Sequence, residues 1–236
     1  MVTGKLGTDA RMAMKKYLYG KQKFLSGLIS GKRGLRFSDI AHYSVMENEK
    51  MRDDELAKEF HYDKNEVGIT INGIVLNPAD MTTNPSLIVT PYRCFCVCLS
   101  GKKDDEELYE RFEADVCIEI DVEELVKFLT IAAGKFDGMG VVHNSVSYYP
   151  PVMSDPAPDF NAAVFFKRDI YCIEDEYRIA ITIPAHRENF RSETGEPIKI
   201  FSDEPGELRH MFIESKEEWI NRSYVTNVYY RDLPSA

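Results

Sequence analysis

Alternation of apolar and polar residues predicts several β-strands, and the clearest ones lie in the middle and second half of the chain. Residues 92–100, YRCFCVCLS, are apolar on both faces, which is typical of a central strand. Residues 115–121 alternate apolar and polar positions, and residues 170–182 also have a period of two. We therefore expect these three segments to form the centre of one sheet.

The stretch IYCIEDEYRIAI, from Ile170 to Ile181, carries charged residues inside a strand pattern. Successive side chains of a strand point to opposite faces. One face of the predicted strand is therefore apolar, and the other carries Cys172, Glu174, Glu176 and Arg178. The apolar face is expected to be core, and the charged face is expected to serve chemistry or face solvent.

Helical spacing of apolar residues appears mainly near the N-terminus, at about residues 8–30. Thr8 is a suitable cap for a helix over about residues 9–19, and KQKFLSGLIS continues helically. Residues 102–112 and 123–133 are also predicted to be helical. The charged segment VMENEKMRDDELAKEF predicts a solvated helix, with an ordered loop lining a pocket as the alternative.

Strands mixed irregularly with short helices predict one α+β domain over residues 1–236. Its sheet is expected to be mixed, mostly antiparallel and flanked by helices. We find no internal repeat and no low-complexity linker that would divide the chain.

Charge and hydropathy narrow the function classes. The net charge is −10 and the basic residues are scattered, so broad nucleic-acid binding is disfavoured. No apolar run approaches the roughly 18 to 20 residues of a membrane span, and the N-terminus lacks the apolar core of a signal peptide. We expect a cytoplasmic protein without membrane contact.

The cysteines are expected to be structural. Cys94, Cys96 and Cys98 alternate and share one strand face, where neighbouring Cα atoms are roughly 7 Å apart, at the limit for a disulfide. No C-x-x-C motif or histidine pair has the spacing of a zinc site. We therefore predict buried thiols and no metal site in this part of the chain.

Several short motifs follow the order found in a widespread bacterial domain family of unknown function, which the chain resembles. The matching segments are LRFS at Leu35–Ser38, CLS at Cys98–Ser100, LYERF at Leu108–Phe112, VCIEID at Val116–Asp121, VSY at Val146–Tyr148, Lys167, and EDEYR at Glu174–Arg178. Two features of the family are missing, namely a tryptophan in the middle helix and an early asparagine-aspartate-proline-phenylalanine turn.

The E-x-E motif also resembles the acidic motif of ADP-ribosyltransferases. That resemblance implies cleavage of the nicotinamide–ribose bond of NAD, as an effector in conflict between phage and host. Glu176 would stabilise the positive charge that develops on the ribose, and Glu174 would handle an acceptor. The implied nucleotide-binding residues are Arg36, which would meet the phosphates, Ser100, Tyr148 and Arg178.

Three alternatives remain open from the sequence. Glu174, Glu176 and Arg178 would form a solvated ion-pair network with Lys167 or Arg168 if they had only a structural role. A second alternative is a non-catalytic module that binds a protein partner. The third is a metal-dependent nuclease or hydrolase that uses the acidic cluster Glu47, Glu49, Asp53 and Asp54.

Overall fold

The computed structural model describes residues 13–46, 48, 54–202, 204 and 207–231. The strands are β1 Lys15–Gly20, β2 Leu35–Asp39, β3 Lys58–His61, β4 Thr70–Ile71, β5 Ile74–Val75, β6 Ser86–Val89, β7 Cys94–Ser100, β8 Val116–Asp121, β9 Gly140–Ser145, β10 Ser147–Tyr149, β11 Phe166–Arg168, β12 Glu176–Thr182, β13 Asn189–Arg191, β14 Pro197–Lys199, β15 His210–Ile213 and β16 Val225–Tyr230. The helices are α1 Gln22–Ser30, α2 Glu106–Arg111, α3 Val122–Ala133 and α4 Glu218–Arg222. Short 3-10 segments cover Ile40–Val45, Pro78–Asp80, Ala163–Phe165 and Asp169–Glu174.

An antiparallel sheet of eight strands organises the fold, with β7 at its centre. Along one edge of β7, β12 pairs over the full length, from Glu176 opposite Ser100 to Thr182 opposite Cys94, and β9 pairs with the far edge of β12. A separate parallel pair, β10 with β11, makes the whole architecture mixed. The predicted α+β class with a mostly antiparallel sheet is therefore confirmed.

The other edge of β7 is shared by two strands, so the sheet forks there. Strand β2 pairs at Phe95 and Cys96, and β1 pairs at Ser100. Beyond these points β2 continues to β15, and β1 continues to β8 and β16. Helix α1 lies between β1 and β2 in the chain and therefore connects the two arms of the fork.

The two faces of the sheet follow the alternation of the sequence. Tyr177, Ile179 and Ile181 of β12 pack in the main core, which also contains the buried face of α3. On the opposite face, Ala180 packs with Cys94 and Cys96 against the segments around residues 40 and 164. All five cysteines are free thiols; Cys94, Cys96 and Cys117 are buried, as predicted, whereas Cys172 is exposed. Because both faces of β7 and β12 are covered, charged residues on these strands are buried.

Three predictions about local structure are wrong. The described part of the predicted helix 9–19 contains β1, because its backbone pairs with β8 from Lys15 to Gly20; residues up to 12 lie outside the described part. Ile170–Glu174 form a 3-10 turn, because Asp175 adopts a left-handed conformation with φ 41° and the strand begins only after it. Glu174 is therefore not a strand residue.

The third wrong prediction concerns the charged segment over residues 45–60. In its described part, residues from Lys58 belong to β3, which pairs with β6, and Glu55 is buried. A solvated helix is thus excluded there, since the carboxylate of Glu55 and the ammonium of Lys58 form a buried ion pair of 2.8 Å. Residues 47 and 49–53 lie outside the described part.

The predicted helices at 21–30, 102–112 and 123–133 are confirmed as α1, α2 and α3, although α2 is restricted to Glu106–Arg111. Helix α1 ends at Gly31, whose φ of 81° suits a glycine. Asp121 caps α3 by accepting a hydrogen bond from the backbone N–H of Glu124. Within the described residues, no helix combines the length and apolar character needed to cross a bilayer.

Candidate functional site

A cavity of about 650 Å³ opens where the sheet forks, and we call it the fork cavity. Its volume is within the range of roughly 300 to 1,000 Å³ that is typical of small-molecule sites. It is lined by β1, α1, β2, β7 and the turn before β12. Its lining includes the ring of Phe212 and the polar or charged side chains of Arg33, Arg36, His42, Cys98, Ser100, Lys167, Glu174 and Glu176. The cavity exists because β1 and β2 diverge along the same edge of β7.

Two carboxylates and one ammonium group form one end of the fork cavity. The Nζ of Lys167 lies 2.8 Å from Oε2 of Glu174 and 3.1 Å from Oε2 of Glu176. All three residues are about 95% buried. The second oxygen of Glu174 accepts a hydrogen bond of 2.9 Å from Nε of Arg111. The second oxygen of Glu176 accepts one of 2.7 Å from Nε of Arg178.

The charge network continues away from the cavity through Arg178, which is fully buried. Its two terminal nitrogens donate to the carboxylate of Glu55 at 2.8 and 2.9 Å, and one of them also donates to the carbonyl of Val164. Lys58 is paired with the same Glu55 carboxylate. The network thus joins three carboxylates to four cations, in the order Lys58, Glu55, Arg178, Glu176, Lys167, Glu174 and Arg111.

The two cavity carboxylates have opposite pKa shifts. Burial alone would raise the pKa of Glu176, but the charges of Arg178 and Lys167 outweigh it and lower the pKa well below its ordinary value. The pKa of Glu174 is raised, mainly because the residue is buried and also because of the negative charge of Glu176. The charges of Lys167 and Arg111 lower this pKa but offset the effect of burial only in part. Glu176 is therefore held ionised, whereas Glu174 takes up a proton more readily.

The backbone around Asp175 brings these two carboxylates to one ammonium group. Its left-handed conformation, with φ 41° and ψ 54°, separates the 3-10 turn from β12. The hydroxyl of Ser100 donates to the carbonyl of Glu174 at 2.6 Å, and the N–H of Gly101 donates to the carbonyl of Asp175 at 2.7 Å. Ser100 thus fixes the turn that carries Glu174 while it also lines the cavity.

The cavity contains four of the six predicted site residues, namely Glu174, Glu176, Ser100 and Arg36. The other two, Arg178 and Tyr148, do not line the cavity. Arg178 is fully buried behind Glu176, so it holds that carboxylate and does not line the cavity. Tyr148 is also outside the lining, and its hydroxyl accepts a hydrogen bond of 2.8 Å from the backbone N–H of Glu176.

The alternative of a solvated ion-pair network is also wrong, since Glu174, Glu176 and Arg178 are all buried. Lys167 pairs with Glu174 and Glu176, as that alternative supposed, whereas Arg168 is exposed. Sequence reasoning missed Glu55 and Arg111. In the sequence, Glu55 lies in a charged segment and Arg111 in an acidic helix. Most side chains in such segments are solvated, so neither position indicates a buried ion pair.

The described residues contain no group of three or more histidine, cysteine, aspartate or glutamate side chains arranged to hold a metal ion. Of the acidic residues considered for magnesium, only Asp54 is described, and its carboxylate accepts backbone N–H groups of Leu56 and Ala57. Glu47, Glu49 and Asp53 lie outside the described part.

Comparisons of the chain with known protein families, with curated proteins and with solved structures gave no match. The geometry of the fork cavity is therefore the basis for the function proposed below.

Proposed function

We propose that the protein binds NAD in the fork cavity and cleaves its nicotinamide–ribose bond, in the manner of an ADP-ribosyltransferase. One observation carries this proposal. Glu174, Glu176, Ser100 and Arg36 come from three separate segments of the chain and line a single cavity of suitable size. The same residues are those that the resemblance to ADP-ribosyltransferases implies.

Glu176 is suited to stabilise the reacting ribose. When the C1′–N bond breaks, the electron pair leaves with nicotinamide and positive charge develops on the sugar. A carboxylate held ionised inside a cavity stabilises that charge more strongly than it would in water. Burial raises the pKa of Glu176, but the neighbouring cations lower it by more. The carboxylate of Glu176 therefore remains ionised at neutral pH.

Glu174 is suited to handle the proton of the acceptor. When an acceptor hydroxyl or water adds to C1′, its proton must move to a base within hydrogen-bonding distance. The raised pKa of Glu174, due mainly to burial, favours uptake of that proton. The two carboxylates therefore have environments that suit different roles.

A non-catalytic nucleotide- or partner-binding module is the second candidate, and one specific observation favours it. Each of the four carboxylate oxygens of Glu174 and Glu176 already has a cationic partner. In that case the network serves to shape the cavity, and a ligand binds without turnover.

Release of nicotinamide from labelled NAD distinguishes the two candidates. We expect release by the wild-type protein and a loss of orders of magnitude in kcat for Glu176→Gln, with little change in NAD affinity. Glu174→Gln should impair transfer to an acceptor more than hydrolysis by water. Glu196→Gln, in an exposed hairpin turn, is the matched control. NAD binding by the wild type without nicotinamide release would establish the binding module instead.

A further inference from the structure

The arm of the fork formed by β2 and β15 presents three polar side chains and one phenylalanine to the cavity side. Arg36 pairs with Phe212, and Ser38 pairs with His210, so these four side chains share one face. Ser38 also pairs with Cys96 of β7, which is on the same face of the sheet as Cys98. Alternate residues on the other face pack in the main core; they are Leu35, Phe37, Met211 and Ile213.

A second arginine joins Arg36 on this face. The guanidinium of Arg33 stacks over the ring of Phe212 at 4.9 Å, and Phe212 is the strand partner of Arg36. His42 follows β2 and lines the same end of the cavity. We call Arg33 and Arg36 the cation shelf.

The two arginines of the cation shelf are exposed and have no carboxylate within ion-pair distance among the residues that the structure describes. Several other arginines of the chain do have acidic partners; examples are Arg93 with Asp39, Arg111 with Glu174, Arg178 with Glu55 and Arg231 with Glu106. In a chain of net charge −10, a cluster of arginines without such partners indicates a place for an anion.

The charges of these arginines also act on two neighbouring histidines. Burial, followed by the charge of Arg36, lowers the pKa of His42. Burial, followed by Arg36 and Arg33, lowers the pKa of His210. The charges of the two arginines therefore converge on one small region of the surface.

We propose that the cation shelf binds the diphosphate group of a nucleotide whose other end reaches Glu174 and Glu176. This proposal deepens the proposed function, because it places the phosphates of the substrate in the same fork cavity. Two guanidinium groups, each able to bind a phosphate through paired N–H donors, match the charge of a diphosphate. The overall negative charge of the chain opposes a long nucleic-acid strand as the ligand.

Calorimetric binding of ADP and of adenosine tests the shelf without any need for turnover. We expect ADP to bind at least tenfold more tightly than adenosine, and the double variant Arg33→Gln/Arg36→Gln to lose that difference. The variant Arg33→Lys/Arg36→Lys should retain part of it, because it keeps the charge without the paired donors. Arg191→Gln removes an exposed arginine of β13, outside the cavity lining, and should have no effect.

The outcomes for the shelf and for the proposed function are distinguishable. Arginine-dependent binding of ADP without nicotinamide release from NAD would support the shelf and overturn the NAD-cleaving activity. Nicotinamide release with an unchanged KM in the double glutamine variant would support the activity and overturn the shelf. Failure of ADP to bind, or equal affinity for ADP and adenosine, would also overturn the shelf.

Discussion

Arg178→Met is expected to destabilise the protein strongly, because it removes the central cation of the buried network. The guanidinium makes hydrogen bonds of 2.7 Å to Glu176, 2.8 and 2.9 Å to Glu55, and 2.6 Å to the carbonyl of Val164. Methionine fills similar apolar volume but leaves these acceptors without their donor. Removing one partner of a buried ion pair costs roughly 3 to 5 kcal/mol.

The same interaction shifts the pKa of Glu55. Burial would raise this pKa, but Arg178, with Lys58, lowers it from 4.5 to about 2. One pKa unit corresponds to about 1.4 kcal/mol, so the lowering represents roughly 3 kcal/mol of stabilisation of the folded state. Lys58 and Lys167 also lower this pKa, so Arg178 accounts for a part of the shift.

Thermal and urea unfolding of the purified variant measure the effect. For a chain of this length, 1 kcal/mol shifts Tm by roughly 2 to 4 °C, so we expect a fall of roughly 6 to 20 °C at pH 7. Arg191→Met, at an exposed site, is the control for loss of an arginine. A fall of less than about 2 °C for Arg178→Met would refute the energetic role assigned to the buried network.

The pH dependence of this deficit has a definite sign. The folded-state pKa of Glu55 is below its unfolded value, so its stabilising contribution is complete above about pH 4.5 and is lost as the pH falls towards about 2. Glu176 has the same direction of shift. The difference in stability between wild type and Arg178→Met should therefore shrink on acidification through this window; a difference that grows there would contradict the argument.

Three further predictions concern packing and backbone geometry, each checked by urea unfolding. Ile179→Ala in the fully buried centre of β12 should cost roughly 2 to 5 kcal/mol, and equal stability would contradict its place in the core. Gly34→Ala would place a Cβ 2.0 Å from the carbonyl oxygen of Ile213, so we expect at least roughly 1 to 3 kcal/mol of destabilisation; wild-type stability would show that the backbones are farther apart. Asp175→Val should be less stable than Asp175→Gly by roughly 1 to 2 kcal/mol, because valine resists a φ of 41°; the reverse order would contradict the left-handed conformation.

The roles proposed for the carboxylates and for the cation shelf of the fork cavity can be tested with separate variants. Glu176 and Glu174 have oppositely shifted pKa values, so their glutamine variants are expected to affect different steps. The cation shelf lies on β2 and the segment before it, away from both carboxylates in the sequence. Loss of phosphate binding and loss of bond cleavage can therefore be measured as separate defects.

Local sequence pattern was sufficient for much of the fold. The period of two in residues 176–182 assigned Tyr177, Ile179 and Ile181 to the core and Glu176 with Arg178 to the opposite face. Apolar spacing likewise predicted α1 and α3. These features are local, because strand alternation and helix periodicity depend on neighbouring residues alone.

Interactions between distant residues decided where the local pattern was misleading. Residues 15–20 form a strand because β8, about a hundred residues later in the chain, supplies the backbone partners. Because of the turn at Asp175, Glu174 lies outside strand β12, and its carboxylate accepts a hydrogen bond from Nζ of Lys167. Neither result follows from residue type, since aromatic residues occur in both helices and strands and a left-handed aspartate has no distinctive neighbours.

The sequence by itself determined the two faces of the strand over residues 176–182, helices α1 to α3 and four residues of the candidate site. Only the tertiary structure decided that the E-x-E carboxylates are buried and ionically paired, because distant segments supply Arg111, which pairs with Glu174, and Glu55, which pairs with Arg178 behind Glu176. It also decided that Arg178 is buried outside the cavity and donates a hydrogen bond to the carboxylate of Glu176. The fork of the sheet, which creates the cavity, arises because β1 and β2 pair with different parts of the same edge of β7. Such pairing depends on the whole fold.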